Sequence, residues 1–164
     1  MRKLLILAAS MLLLSACSGD KTGVELYGDA TTGGWRDDVN ITDLTATDLT
    51  KKLQKTGKDV VYFNFNESSL DAKAKADLQA QAEWLKQNPA ALIVIEGRCD
   101  ERGTREYNLA LGDKRANAAR SYLIAKGISA KRIRTISYGK DKPVVLGSDE
   151  EAWAKNRNAT TVAY

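Results

Sequence analysis

The chain has 164 residues, 25 Lys and Arg against 21 Asp and Glu, a formal net charge of +4, and no histidine. That length holds one domain with a proper core plus a tail. The missing histidine removes the commonest general base and metal ligand, and no Lys/Arg block is long enough for a nucleic-acid tail, so neither a metal nor a nucleic acid is expected.

Arg2 and Lys3 give the chain a positive start, and Leu4 to Leu14 is an almost unbroken apolar run. The run is too short for the ~20 apolar residues that span a bilayer, and it reads as a secretory signal. It closes on Leu14-Ser15-Ala16-Cys17, which resembles a bacterial lipobox, where the cysteine is acylated and becomes the new N-terminus. The alternative is an ordinary signal peptide followed by a free thiol. On the first reading residues 1–16 are removed and Cys17 carries fatty acyl chains, palmitate among them. That covalent lipid is the one non-protein group expected, and no cofactor is. Anchoring by two or more acyl chains is stable, at ~0.8 kcal/mol per buried CH₂. Ser18, not Asp, follows Cys17, which in such lipoproteins favours the outer membrane, with the domain facing the periplasm.

Residues 17–57 are rich in Gly, Thr, Asp and Ser and read as a flexible periplasmic tether. About forty such residues have an r.m.s. span of roughly 35 Å. Leu44, Leu49 and Leu53 allow a short amphipathic helix at its close; an extension docked on the domain is the alternative.

The pattern changes at Lys58, and residues 58–164 read as the folded domain. Val60 to Phe65 is β-branched and aromatic, a strand. Ser68-Ser69 opens a helix through Asn88, with Leu70, Ala74, Leu78, Ala82 and Leu85 on one side and Pro89 as a stop. Leu92 to Ile95 is a buried strand running into Gly97. Thr104 caps a second helix, with Tyr107, Leu111, Ala118, Tyr122 and Leu123 inward and Gly127 at its end. Arg132 to Tyr138 is a third strand, Glu150 to Lys155 a short helix, and Asn158 to Tyr164 a closing strand. The expected fold is α+β: a two-layer α/β sandwich in the order β-α-β-α-β-(short α)-β, its helices packed on one sheet.

Polar groups concentrate between the second strand and second helix. Asp100 sits in the loop; Asn108, Leu111 and Arg115 share a helix face at i, i+3 and i+7. A carboxylate, a guanidinium, an amide and the N–H groups near Thr104 suit a zwitterion. Asp100 would take its ammonium and Arg115 would fork onto its carboxylate. From spacing alone, an exposed Asp100–Arg115 salt bridge with no ligand is the simpler alternative. Cys99 is expected to be buried and inert.

The stretch Asp100-Glu101-Arg102-Gly103-Thr104-Arg105-Glu106-Tyr107-Asn108, followed by Arg115-Ala116-Asn117, strongly resembles the OmpA-like peptidoglycan-binding domain. Val61-Tyr62-Phe63, Ser137-Tyr138-Gly139, Asp149 to Trp153 and Asn156-Arg157 add to the likeness, which covers about Val60 to Tyr164. The resemblance implies a non-enzymatic domain that grips meso-diaminopimelate in the stem peptide of peptidoglycan. Its ligand residues fall on Asp100, Asn108, Leu111 and Arg115. It also implies TolB and other Tol proteins as partners, in envelope integrity and cell division. A lipoprotein of another envelope machine, such as motility or secretion, is the nearest alternative. A wall-modifying enzyme using Asp100, Glu101 and Glu106 is a remote one, with no evident nucleophile and no catalytic residue to nominate.

Three places depart from the family's usual writing: Asn64 and Asn66 stand where acids are common, Arg98 precedes Cys99, and Asn158 stands for an arginine. Asn66 remains a candidate ligand residue. Arg98, on the same side of an extended strand as Asp100, is expected to compete for it and weaken ligand binding.

Overall fold

The computed structural model describes residues 43–164; the signal segment, Cys17 and the first part of the tether lie outside the described residues. The elements run α1 (Asp43–Gln54), β1 (Val60–Tyr62), α2 (Ala72–Gln87), β2 (Ile93–Arg98), α3 (Arg105–Ala125), a 3₁₀ turn (Ala130–Arg132), β3 (Ile133–Gly139), α4 (Glu150–Asn156) and β4 (Asn158–Ala163). The sheet order is β1-β4-β2-β3. β4 enters antiparallel between β1 and β2, while β2 and β3 pair in parallel through the α3 crossover. Helices α2 and α3 cover the sheet, as the alternation of strands and helices requires.

The core follows the apolar spacing. Ala74, Leu78, Ala82 and Leu85 line the buried side of α2 and meet Ile93 and Ile95 of β2 and Val61 of β1. Each fully buried Leu or Ile contributes about 1.5–3 kcal/mol. Helix α3 turns inward a different set from the one its spacing predicts. Leu111, Ala116, Ala119 and Leu123 are buried together with Asn108 and Arg115, whereas Tyr107 is half exposed. Small residues here bring α3 close to β2: a Cβ on Gly97 would stand 1.9 Å from the Gly112 carbonyl oxygen.

Two further boundaries differ. Asp71, rather than Ser68 or Ser69, caps α2, its carboxylate accepting from Ala74 N at 2.7 Å. Residues 68–71 instead belong to the irregular segment after β1. Helix α1 falls within the stretch read as tether, yet it is docked. Leu53 is fully buried, and Thr50 Oγ1 donates to the Ala163 carbonyl at 2.8 Å. The folded unit therefore begins upstream of Lys58, because one leucine face was enough to pin a helix to the end of β4.

Candidate functional site

The site is built where the sheet runs out. Pairing of β2 with β3 shifts register at Gly97/Arg98, and the chain leaves the sheet with Cys99 N donating to Gly139 O at 2.8 Å. Cys99 is buried, its Sγ 3.4 Å from the Asn108 carbonyl, and burial pushes its thiol pKa up. The loop to α3 is held from within. Gly103 takes φ +91°, Thr104 Oγ1 accepts from Tyr107 N, and Asn108 Nδ2 donates to the carbonyls of Arg102 (2.8 Å) and Thr104 (3.1 Å).

This loop buries Asp100, which is 4% exposed. Its partners are Arg102, with Nη2 2.6 Å from Oδ2 and Nε 3.2 Å from Oδ1, and Arg157, with Nη1 3.3 Å from Oδ2. Burial alone raises the Asp100 pKa, but the bonds from Arg102 and Arg157 outweigh it and hold the carboxyl below its usual range.

Arg115 does not pair with Asp100. It is 1% exposed, and it donates to three backbone carbonyls: Glu67 (2.8 Å, from Nε), Arg98 (2.9 Å, from Nη1) and Asn64 (3.0 Å, from Nη2). Two of the five guanidinium N–H bonds are left for anything else. Burial pulls its pKa down from the ordinary arginine value.

These groups share one cavity of about 260 Å³. Asp100, Asn108, Leu111, Arg115 and Asn66 all line it, with Phe65, Tyr107 and Arg102. Asn66 takes a positive φ of 58° and accepts a hydrogen bond from the Tyr107 hydroxyl. Thr104 is the exception among the expected residues. It is exposed, does not line the cavity, and uses its hydroxyl as the helix cap.

Arg98 does not compete for Asp100. Arg98 keeps the alternation of β2 and lies on the same side as Glu96, which it bonds along with Thr160 Oγ1 (3.2 Å) and the Lys142 carbonyl (3.1 Å), whereas Asp100 has already left the strand. Arg102 and Arg157 hold the place expected for it. The Asp100–Arg102 pairing is local to the loop, where Arg102 N also donates to Asp100 Oδ1 at 3.2 Å; the pairing with Arg157, 57 positions away, needs the tertiary fold, and only the Asn156-Arg157 likeness pointed to it. Among the described residues no acidic or thiol cluster could hold a metal ion, and no helix is long and apolar enough to cross a membrane.

Residues 62–157 match the OmpA family model. The chain belongs to the OmpA family. A peptidoglycan-associated lipoprotein of Mesorhizobium japonicum is 40% identical over 96% of this chain and 89% of its own. One from Haemophilus influenzae is 40% identical over 99% of this chain and 97% of its own. The crystal structure of the peptidoglycan-associated lipoprotein from Burkholderia pseudomallei superposes with a TM-score of 0.64 at 47% identity, covering 66% of this chain and 92% of that one. The mixed helix-and-sheet architecture is thus the family's, and within the family the chain groups with the peptidoglycan-associated lipoproteins.

Proposed function

We propose that this protein is an outer-membrane lipoprotein, anchored through Cys17 and facing the periplasm, that binds peptidoglycan without cleaving it. The cavity takes the ammonium-and-carboxylate head of meso-diaminopimelate in the stem peptide. One observation carries the reading: a buried carboxylate, Asp100, and a buried guanidinium, Arg115, line the same small cavity without neutralising each other. Such a pair offers opposite charges to the two ends of a zwitterion, in a setting where charge-assisted hydrogen bonds are strong. Leu111 and Phe65 supply apolar wall for the methylene chain between the head groups.

The membrane attachment rests on the lipobox-like Leu14-Ser15-Ala16-Cys17, with residues 1–16 as signal and the segment after Cys17 as tether. The names of the relatives, peptidoglycan-associated lipoproteins, support both halves of the proposal. TolB and other Tol proteins are the proposed protein partners, and the role is to couple outer membrane to wall in envelope integrity and division.

Sedimentation with purified sacculi tests the reading. The expected result is co-pelleting with no soluble wall fragments released. Failure to pellet removes the binding function, and release of fragments replaces it with an enzymatic one. A pull-down with purified TolB tests the partner separately.

A further inference from the structure

The carboxylate assigned to the ligand's ammonium already holds a cation of the protein's own. Two guanidiniums reach Asp100, and they differ in kind. Arg157 is fixed: it is 7% exposed and also donates to the Phe63 carbonyl (3.1 Å) and to Glu150 Oε1 (2.6 Å). Arg102 lies on the cavity side and is far more open, its side chain 32% exposed, with Nη2 2.6 Å from Asp100 Oδ2. Its guanidinium stacks between two rings, 4.0 Å from the Phe65 centroid and 4.2 Å from that of Trp153. A second carboxylate lies within reach, since Glu150 Oε2 is 4.0 Å from the same Nη2. The side chain thus has one partner inside the cavity, another at its rim, and a flat aromatic slot along which a planar cation can slide.

We propose that Arg102 is an internal stand-in for the ligand's ammonium, exchanging from Asp100 to Glu150 when an ammonium-bearing side chain enters. The exchange deepens the proposed wall binding and rests on it. Arg157 stays on Asp100 throughout, and the exchange keeps the second cation site of the carboxylate filled at every stage. It also sets selectivity: an entering group must replace both a hydrogen bond and a positive charge, and a neutral donor supplies only the first. Because Arg102 competes with ligand, it lowers affinity. Removing it while keeping its length and apolar stem is expected to tighten binding. A partly exposed ion pair of this kind corresponds to about a two- to fivefold change.

The test is a calorimetric titration of the protein, Arg102→Met and Asp100→Asn with a diaminopimelate-containing stem tripeptide. Alongside it, the Arg102 Nε–H resonance is followed by NMR in the unsubstituted protein. The expected result is tighter binding by Arg102→Met, weak binding by Asp100→Asn, and an Nε–H signal that moves in step with saturation. Equal or weaker binding by Arg102→Met, or an Nε–H signal unmoved at saturation, overturns the exchange while the binding itself stands. If the unsubstituted protein gives no heat at all, it is the wall-binding reading that fails. The NMR arm still decides the matter should Arg102→Met fold poorly.

Discussion

Arg157 Nη1 donates to Asp100 Oδ2 at 3.3 Å across 57 residues of sequence, and both side chains are buried. The bond ties the turn after α4 to the loop before α3. The other donors of Arg157 reach Phe63 and Glu150, so one side chain joins the end of β1, the start of α4 and the Asp100 loop behind the cavity. Hydrogen bonds from a charged donor contribute about 1.5–3 kcal/mol each and are not additive, and Asp100 keeps Arg102 when Arg157 is lost. Arg157→Met is therefore expected to lower the unfolding free energy by about 3 kcal/mol or more and to weaken stem-peptide binding. Urea unfolding and a ligand titration read the two effects.

Arg115 has a structural duty that its place in the cavity conceals. Its three bonds to the carbonyls of Glu67, Arg98 and Asn64 pin the segment after β1 against the end of β2. Hydrogen bonds from a charged donor contribute about 1.5–3 kcal/mol each, and they are not additive. Arg115→Ala is expected to cost at least about 3 kcal/mol in urea unfolding. Loss of wall binding in that variant alone thus reports misfolding as much as a missing contact.

Gly97 and Gly112 set how closely α3 approaches the sheet. A Cβ on Gly97 meets backbone at 1.9 Å, and backbone cannot rotate away as a side chain can. Gly97→Ala is expected to lose at least about 2 kcal/mol by overpacking. A change of under about 0.5 kcal/mol in chemical denaturation would show that the helix yields freely.

Acid sensitivity follows from Asp100. Burial raises its pKa, Arg102 and Arg157 more than offset that, and the folded value lies below the ordinary one of about 3.9. A carboxylate depressed on folding stabilises the fold above its unfolded pKa, and the contribution is lost as pH falls through the folded one. Stability measured at pH 7, 4 and 3 is expected to fall more steeply below about pH 4 in the unsubstituted protein than in Asp100→Asn. Asp77, held low by Lys58 and Lys73 against the effect of burial, is present in both and cancels in the comparison.

Much of this arrangement was legible in the residues themselves. The α2 stripe, the Thr104 cap and the clustering of Asp100, Asn108, Leu111 and Arg115 depend on local spacing, and local spacing is what a sequence displays. The Arg157 partner of Asp100 depends on where α4 comes to rest, which no spacing reveals. Two-residue alternation holds for Arg98 but not for Asp100, because β2 ends at Arg98 and the chain turns into the loop before the carboxylate is reached. Helix α1 was half legible: Leu49 and Leu53 marked an apolar side, but the surface that receives it exists only once β4 has closed the sheet. The spacing around Thr104 suits both a cap and a ligand donor, and its hydroxyl serves the cap.

On the proposed reading, Asp100 receives the ligand ammonium. Titrating the protein with a diaminopimelate-containing stem peptide, and with the same peptide acetylated on the side-chain amine, tests it directly. The account predicts binding of the first and at least about a tenfold loss with the second, the scale of one charge-assisted hydrogen bond. Equal affinity for the two peptides would contradict it.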